Sequence, residues 1–271
     1  MKNHNKPTKT EQRAAKVAEL LKDTASPINR AAMLYELGLS IKHHDTGKIA
    51  GLYSLDVSCK HCEFCQERQA AAAKDPRIVC GLCYTLSFWA STAPAHAITG
   101  DILASVEFTR EELATIQTPP AAAIRINSDG ELINQTHATN IVRFAATHPG
   151  NIIAIWTKRP YLLHKAIQAE GKPDNLICGV SSPMINTPRE KGPAWIDFIF
   201  TVYTPSRIAG AIQRGERECN GAHCNECGYK CYQLQQRTED APVYVAEVLR
   251  RPKNMTKVDF MALCDRIDNM T

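Results

Sequence analysis

Nine of the eleven cysteines in this chain fall into two groups. Cys59, Cys62, Cys65, Cys80 and Cys83 lie within 25 residues, and Cys219, Cys224, Cys227 and Cys231 within 13. Thiolate sulfur is a soft ligand that selects zinc, copper(I) or iron–sulfur clusters, and closely spaced cysteines let one stretch of backbone wrap a metal centre. Disulfides are the rival use. The polar run Met1 to Gln12 carries no secretory apolar core, so the expected compartment is cytoplasmic, where structural disulfides are rare.

The two groups point to different spacings. Cys219-x4-Cys224-x2-Cys227-x3-Cys231 is a compact run akin to ferredoxin-type ligation. Cys62-x2-Cys65-x14-Cys80-x2-Cys83 is one residue short of a zinc-ribbon pattern, so zinc is a live alternative there. Within the same group, Cys59, Cys62 and Cys65 form a tight trio after a strand. Three ligands would leave one iron of a 4Fe-4S cube open to a substrate or to S-adenosylmethionine, whereas a fully ligated cube only carries electrons. Radical S-adenosylmethionine enzymes place three residues between the first two cysteines, and this chain places two.

Fewer signals surround the thiols. His61 and His223 neighbour the ligand candidates and are expected in supporting positions. Cys178 and Cys264 stand alone and read as small core residues. Asp129-Gly130-Glu131 reads first as a turn after a strand. Lys158 and Arg159 end another strand, where they would clamp an anion or form a solvated rim.

The elements that must hold these residues follow from apolar periodicity. Helical spacing is seen over Glu11–Asp23 and Ile28–Leu37, and Asp45-Thr46-Gly47 marks a border between a helical extension (1–46) and a cysteine-rich domain (47–271). A strand over Lys48–Val57 leads into the first cysteines, which are expected in a loop, with helices at Ala70–Ala73 and Thr85–Ala93. Strands at Ala121–Asn127, Asn151–Thr157, Asn175–Val180 and Asp197–Tyr203 alternate with helices at Ala138–Thr147, Tyr161–Glu170 and Arg207–Arg214. Strand Val243–Leu249 and helix Lys257–Ile267 close the chain. Such alternation predicts α/β architecture with mostly parallel strands, a partial or complete (β/α) barrel, with chemistry at the strand C-terminal ends.

Composition excludes several classes. Hydrophobic residues at 44% and charged residues at 22% belong to a globular chain and not to a fibrous or low-complexity one. Runs such as Asn151–Thr157 are far shorter than the roughly 20 residues that span a bilayer. The net charge of +4 comes from residues 1–50, with nine Lys or Arg against five Asp or Glu. That excess makes nucleic acid a weakly supported partner.

In motif order the chain resembles the phage gene-product-eighty-eight family, proteins of phages and mobile elements that look like relatives of the radical S-adenosylmethionine barrel. The resemblance spans roughly Gly47 to Tyr232 and rests on Cys83-Tyr84, on Arg125 followed by Gly130-Glu131, on Trp156-Thr157-Lys158, and on the terminal cysteine run. Asp129-Gly130-Glu131 replaces the family's Gly-Asp order. The resemblance implies bound iron–sulfur clusters and sets Gly130-Glu131 where radical enzymes hold the S-adenosylmethionine amino group.

Three functions follow as expectations. The leading one is an iron–sulfur protein with up to two 4Fe-4S clusters, serving a redox partner protein or a small-molecule substrate. The second is a radical S-adenosylmethionine-type enzyme, with Asp129, Gly130, Glu131 and Lys158 as cofactor-binding candidates. The third is a zinc-stabilised nucleic-acid-binding module.

Overall fold

The computed structural model describes residues 7–59, 62–83, 89–219, 221, 223–227, 231–233 and 242–270, with 89–95 described by backbone alone. Eight strands form one sheet: β1 (Lys42–His43), β2 (Tyr53–Leu55), β3 (Ala123–Ile126), β4 (Ile152–Thr157), β5 (Leu176–Ser181), β6 (Phe198–Tyr203), β7 (Arg217–Cys219) and β8 (Val243–Val248). Their order is β1-β2-β3-β4-β5-β6-β8-β7, and every neighbouring pair is parallel except β1 with β2. From β2 to β6 each strand lies beside its successor in sequence. With right-handed crossovers, an order that never reverses sends the connecting helices to one face of the sheet.

Side-chain alternation defines the two faces. Ile124, Ile126, Ile153, Ile155, Cys178 and Val180 face the helix-covered side. There they meet Ile98 and Ile102 of α4 (Trp89–Ser105), Ile141 and Phe144 of α6 (Gln135–Thr147) and Leu163 of α7 (Pro160–Glu170). Ala154, Ile177, Phe198 and Val245 face the other way, against Leu52, Tyr232 and the thiols of Cys219, Cys224 and Cys231. On that second face the terminal cysteine run provides the cover.

Helix boundaries follow their caps. Thr8 and Glu11 form a capping box on α1 (Lys9–Leu20), and Ser26 with Pro27 starts α2 (Pro27–Gly38). Val17, Met33, Leu34 and Leu37 of these helices lie in the same core as the sheet. Between α4 and α5 (Arg110–Leu113) the chain is tied down by Asn140, whose amide donates to Leu103 and Val106 carbonyls (2.9 and 2.6 Å) and accepts from Phe108 N–H (3.0 Å). Asn140 is fully buried, so Asn140→Ala orphans three backbone groups. A loss of about 3 kcal/mol in chemical denaturation is expected; an unchanged midpoint would show that the loop finds other partners.

Three expectations need correction. The first cysteine group does not lie wholly in a loop: Cys62 immediately precedes α3 (Glu63–Ala72), Cys65 lies in its first turn, and Cys80 lies in a 3₁₀ turn (Val79–Leu82). Glu, Gln, Arg and Ala dominate that stretch, and their helix propensity extends α3 far beyond the four residues expected. The strand over Lys48–Val57 contracts to β2 because Gly47 and Gly51 take φ of 83° and 80°, which turn the chain. The two-residue strand β1 is too short to leave a periodic signal and was not expected. Of the helix expected at Thr85–Ala93, residues 85–88 lie outside the described residues, and α4 begins at Trp89. No helix among the described residues is long and apolar enough to cross a membrane.

The flanks of the sheet touch through loops. Ahead of β2, Lys48 Nζ reaches Glu247 of β8 at 2.6 Å, and the Lys48 carbonyl accepts the Cys224 N–H at 2.7 Å. His223 Nδ1 donates to the Gly47 carbonyl at 2.8 Å. Among the described residues no ladder joins β7 or β8 to β1 or β2.

Candidate functional site

The first cysteine group sits where β2, β3 and β4 end. The chain leaves β2 through Asp56 and Val57 to the buried Cys59, and α3 then presents Cys62 and Cys65 from its N-terminus. Cys62 and Cys65 share a thiol–thiol hydrogen bond. That bond and the Cys65 backbone N–H hold Cys62 below the ordinary thiol range against its burial; the same bond and burial drive Cys65 upward. Burial also raises Cys80. Lys158, at the end of β4, stands in the field of Cys80, Glu131, Cys83 and Cys65. Burial lowers its ammonium pKa, but these groups outweigh burial and the net shift is upward. Cys62, Cys65, Cys80 and Cys83 thus share one neighbourhood, with a cation in it.

Glu131 braces this neighbourhood from behind. Its Oε1 accepts the Leu132 N–H (2.9 Å) and the Thr157 hydroxyl (2.5 Å), and its Oε2 accepts the Lys158 N–H (2.7 Å). Arg159 donates to the Leu132 and Ile133 carbonyls (2.7 and 2.6 Å) and lies over Phe64 of α3 at 5.4 Å. Lys158-Arg159 is therefore no solvated rim. Gly130 takes φ of 80°, and a Cβ there would come within 2.3 Å of the Val57 carbonyl oxygen. The turn Asp129-Gly130-Glu131 is thereby pressed against the strand end that feeds the cysteines.

The second group lies on the sheet face of Ala154, Ile177, Phe198 and Val245. β7 delivers Cys219 opposite Glu247, and the bond to Lys48 fixes Cys224. Burial raises Cys224, opposed by Lys48 and Arg125. Cys231 is pushed up to about 12 by burial and by Cys227, Cys219 and Cys224. Cys231 thus lies in the field of the other three thiols. Arg125 donates to the Tyr232 hydroxyl (3.2 Å) and lies over Trp156 at 5.3 Å, while Tyr232 packs on Trp156 at 5.2 Å. Gly179 on the next strand leaves room for that indole, since a Cβ there would sit 2.8 Å from its Nε1.

Of the remaining candidates, His223 is exposed and bonded to Gly47, and His61 lies outside the described residues. Cys178 and Cys264 are buried core residues, as expected.

Sequence reasoning missed a third group. Asp56, His96 and Asp129 offer the one set of three His, Cys, Asp or Glu ligand atoms within 4.8 Å of one another among the described residues. Burial and the Asp56 charge push the Asp129 carboxyl up to about 6, and burial lowers His96. These residues lie 33 to 73 positions apart, so no local spacing could signal them. Among the described residues no three thiols meet the same limit. Tetrahedral zinc with four Zn–S bonds of ~2.3 Å needs sulfurs about 3.8 Å apart, whereas a cube spreads its thiolates over separate irons and accepts wider spacing.

Beneath the site, His137 on α6 is fully buried and accepts the Ile133 N–H (3.2 Å). Burial, aided by Arg159, lowers its pKa to about 3. A depressed imidazole pKa contributes stability above the unfolded value of ~6.5, and that contribution is lost as pH falls toward 3. Stability measured by denaturation should fall over this window, and His137→Asn should flatten the acid limb. An identical pH profile in the variant would refute the assignment.

Comparison with protein-family models, with curated proteins and with solved structures finds no match to this chain.

Proposed function

We propose that the chain is an iron–sulfur protein of redox function, with Cys62, Cys65, Cys80 and Cys83 as one ligand set and Cys219, Cys224, Cys227 and Cys231 as the other. One observation carries the reading: the cysteines gather into two neighbourhoods of four thiols, each with basic side chains facing it. Lys158 faces the first, and Lys48 with Arg125 faces the second. A cube held by four thiolates is a net anion, and partly buried cations offset its charge and favour the reduced state. When bound, such a cluster supplies one-electron transfer. The chain's own residues hold the thiols, exclude water with Trp156, Tyr232 and Phe198, and set the local field.

The sequential strand order and the touching flanks support a partial (β/α) barrel, the architecture that the resemblance to the phage gene-product-eighty-eight family implies. A nucleic-acid-binding module gains less support. Of the basic residues in the N-terminal region on which it rests, Arg13 and Lys16 pair with Glu36, Arg30 with Glu112 and Lys48 with Glu247.

A second reading is an open-iron enzyme of the radical S-adenosylmethionine type using Cys59, Cys62 and Cys65. It is favoured by their position after the first parallel strand, with Gly130 directly behind. The Glu131 carboxylate is taken by three internal donors, so this reading leaves Asp129 and Lys158 as the cofactor contacts.

Spectra of protein purified without oxygen test the proposal. Broad absorbance near about 400 nm that bleaches on dithionite reduction is expected of 4Fe-4S centres; a colourless protein would refute it. Formation of 5′-deoxyadenosine from S-adenosylmethionine by the reduced protein would favour the second reading over simple electron transfer.

A further inference from the structure

The set formed by Asp56, His96 and Asp129 has a donor chemistry different from that of the thiols. Asp56 leaves β2, Asp129 follows β3 and His96 projects from α4, so three separate elements deliver ligand atoms to one point. Asp56 and His96 are buried, and the Asp129 side chain is 23% exposed. His96 Nδ1 and Asp129 Oδ2 stand 3.6 Å apart, too far for a hydrogen bond. That separation suits two ligands on one ion with bonds of ~2.1 Å, whose donors lie about 3 to 4 Å from each other.

We propose that Asp56, His96 and Asp129 bind a single divalent cation of the manganese, iron(II) or zinc class, apart from the cysteine centres. Two carboxylates and an imidazole are harder donors than thiolates and select such ions over copper(I) or a cluster.

Two further observations point to a ligand. Asn127, only 4% exposed, has neither side-chain oxygen nor nitrogen in a hydrogen bond among the described residues. It adopts φ of 55°, and the register of β2 on β3, continued one residue past Leu55 and Ile126, sets it beside Asp56. A buried amide left without partners costs about 1–3 kcal/mol, and an ion with its waters would provide them. Asp56 is also oriented as metal-bound carboxylates are. Its Oδ1 accepts from Ser128 N–H (2.6 Å), Ser128 hydroxyl (2.7 Å) and Asp129 N–H (3.2 Å), while its Oδ2 accepts only from the Ser54 hydroxyl (2.5 Å) and keeps a lone pair for the ion; Ser54 in turn accepts from His44 Nε2 (2.7 Å). Arg125 and Lys42 lie close enough to soften the charge of Asp129.

Manganese is the probe, because this hard ion binds thiolate sets poorly and separates the proposal from the reading of the cysteines. Full-length protein dialysed against EDTA is titrated with Mn²⁺, and free ion is counted by electron paramagnetic resonance. One Mn²⁺ per chain is expected, bound at least tenfold more weakly by Asp129→Asn and by His96→Gln and unchanged in Cys224→Ser. Mn²⁺ should raise the melting temperature of the parent protein and not that of Asp129→Asn, which retains the fold by circular dichroism. No bound manganese in the parent protein, or equal affinity in Asp129→Asn, would overturn the site. Loss of binding in Cys224→Ser would overturn it too, by placing the ion at the cysteines.

Discussion

Cys224→Ser should roughly halve the iron of anaerobically prepared protein, from about eight to about four per chain, and halve the absorbance near about 400 nm. Cys224 is fixed by its backbone bond to Lys48, and it feels Cys219 and Cys227 as well as Lys48 and Arg125. A serine hydroxyl is not a thiolate at neutral pH, so the second set would lose one ligand of four. The first set lies around Lys158 and does not use Cys224, so its iron should remain. Stability should fall with the metal, because a site absent from the unfolded chain contributes its binding free energy to folding. Cys178→Ser provides the contrast. Cys178 is buried in the core facing the helices, and its replacement should destabilise the protein without changing iron per folded chain. Equal iron in the parent protein and Cys224→Ser would mean that the second set holds none.

Gly130→Ala should cost about 2–5 kcal/mol and strip iron from the first set alone. Two effects add. An alanine at φ of 80° is strained by about 1–2 kcal/mol. Its Cβ would also lie 2.3 Å from the Val57 carbonyl oxygen and 2.6 Å from Val57 Cγ2, an overpacking of about 1–3 kcal/mol. Relief requires Val57 to move, and Val57 is two residues from Cys59. Gly215 provides the contrast: it has φ of 89°, and a Cβ there would meet nothing within 4 Å. Gly215→Ala should therefore show only a backbone cost and keep the iron of the first set. The comparison is read from denaturant midpoints and iron counts of both variants; equal losses at the two glycines would mean that the turn does not brace the cysteine loop.

The legible parts of the molecule were those whose signal is local. β4, β5, β6 and β8 are largely apolar runs because parallel strands are buried on both faces, and the expected segments overlap the observed strands closely. Cys178 reads as core for the same reason. The cysteine spacings are local in the same way, and the fold sets Cys65, Cys80 and Cys83 around Lys158. What stayed hidden was everything set by distant partners. Lys158 and Arg159 look like an exposed pair in sequence, and only the fold brings Cys80, Glu131 and Phe64 to them. Asp56, His96 and Asp129 meet across β2, α4 and β3, where no period links them. Asn140 gives no sign in sequence that it will bond three backbone groups around Phe108. The first cysteines read as loop because their close spacing masks the helix-forming Glu, Gln, Arg and Ala residues that follow Cys62.

The most direct test of the central claim is a count of iron, acid-labile sulfide and zinc per chain in protein prepared without oxygen. Two four-thiolate sets predict about eight irons and eight sulfides, and a single filled set about four of each, besides the one divalent ion assigned to Asp56, His96 and Asp129. One or two zincs with no sulfide would contradict the redox reading and make both cysteine sets structural zinc sites.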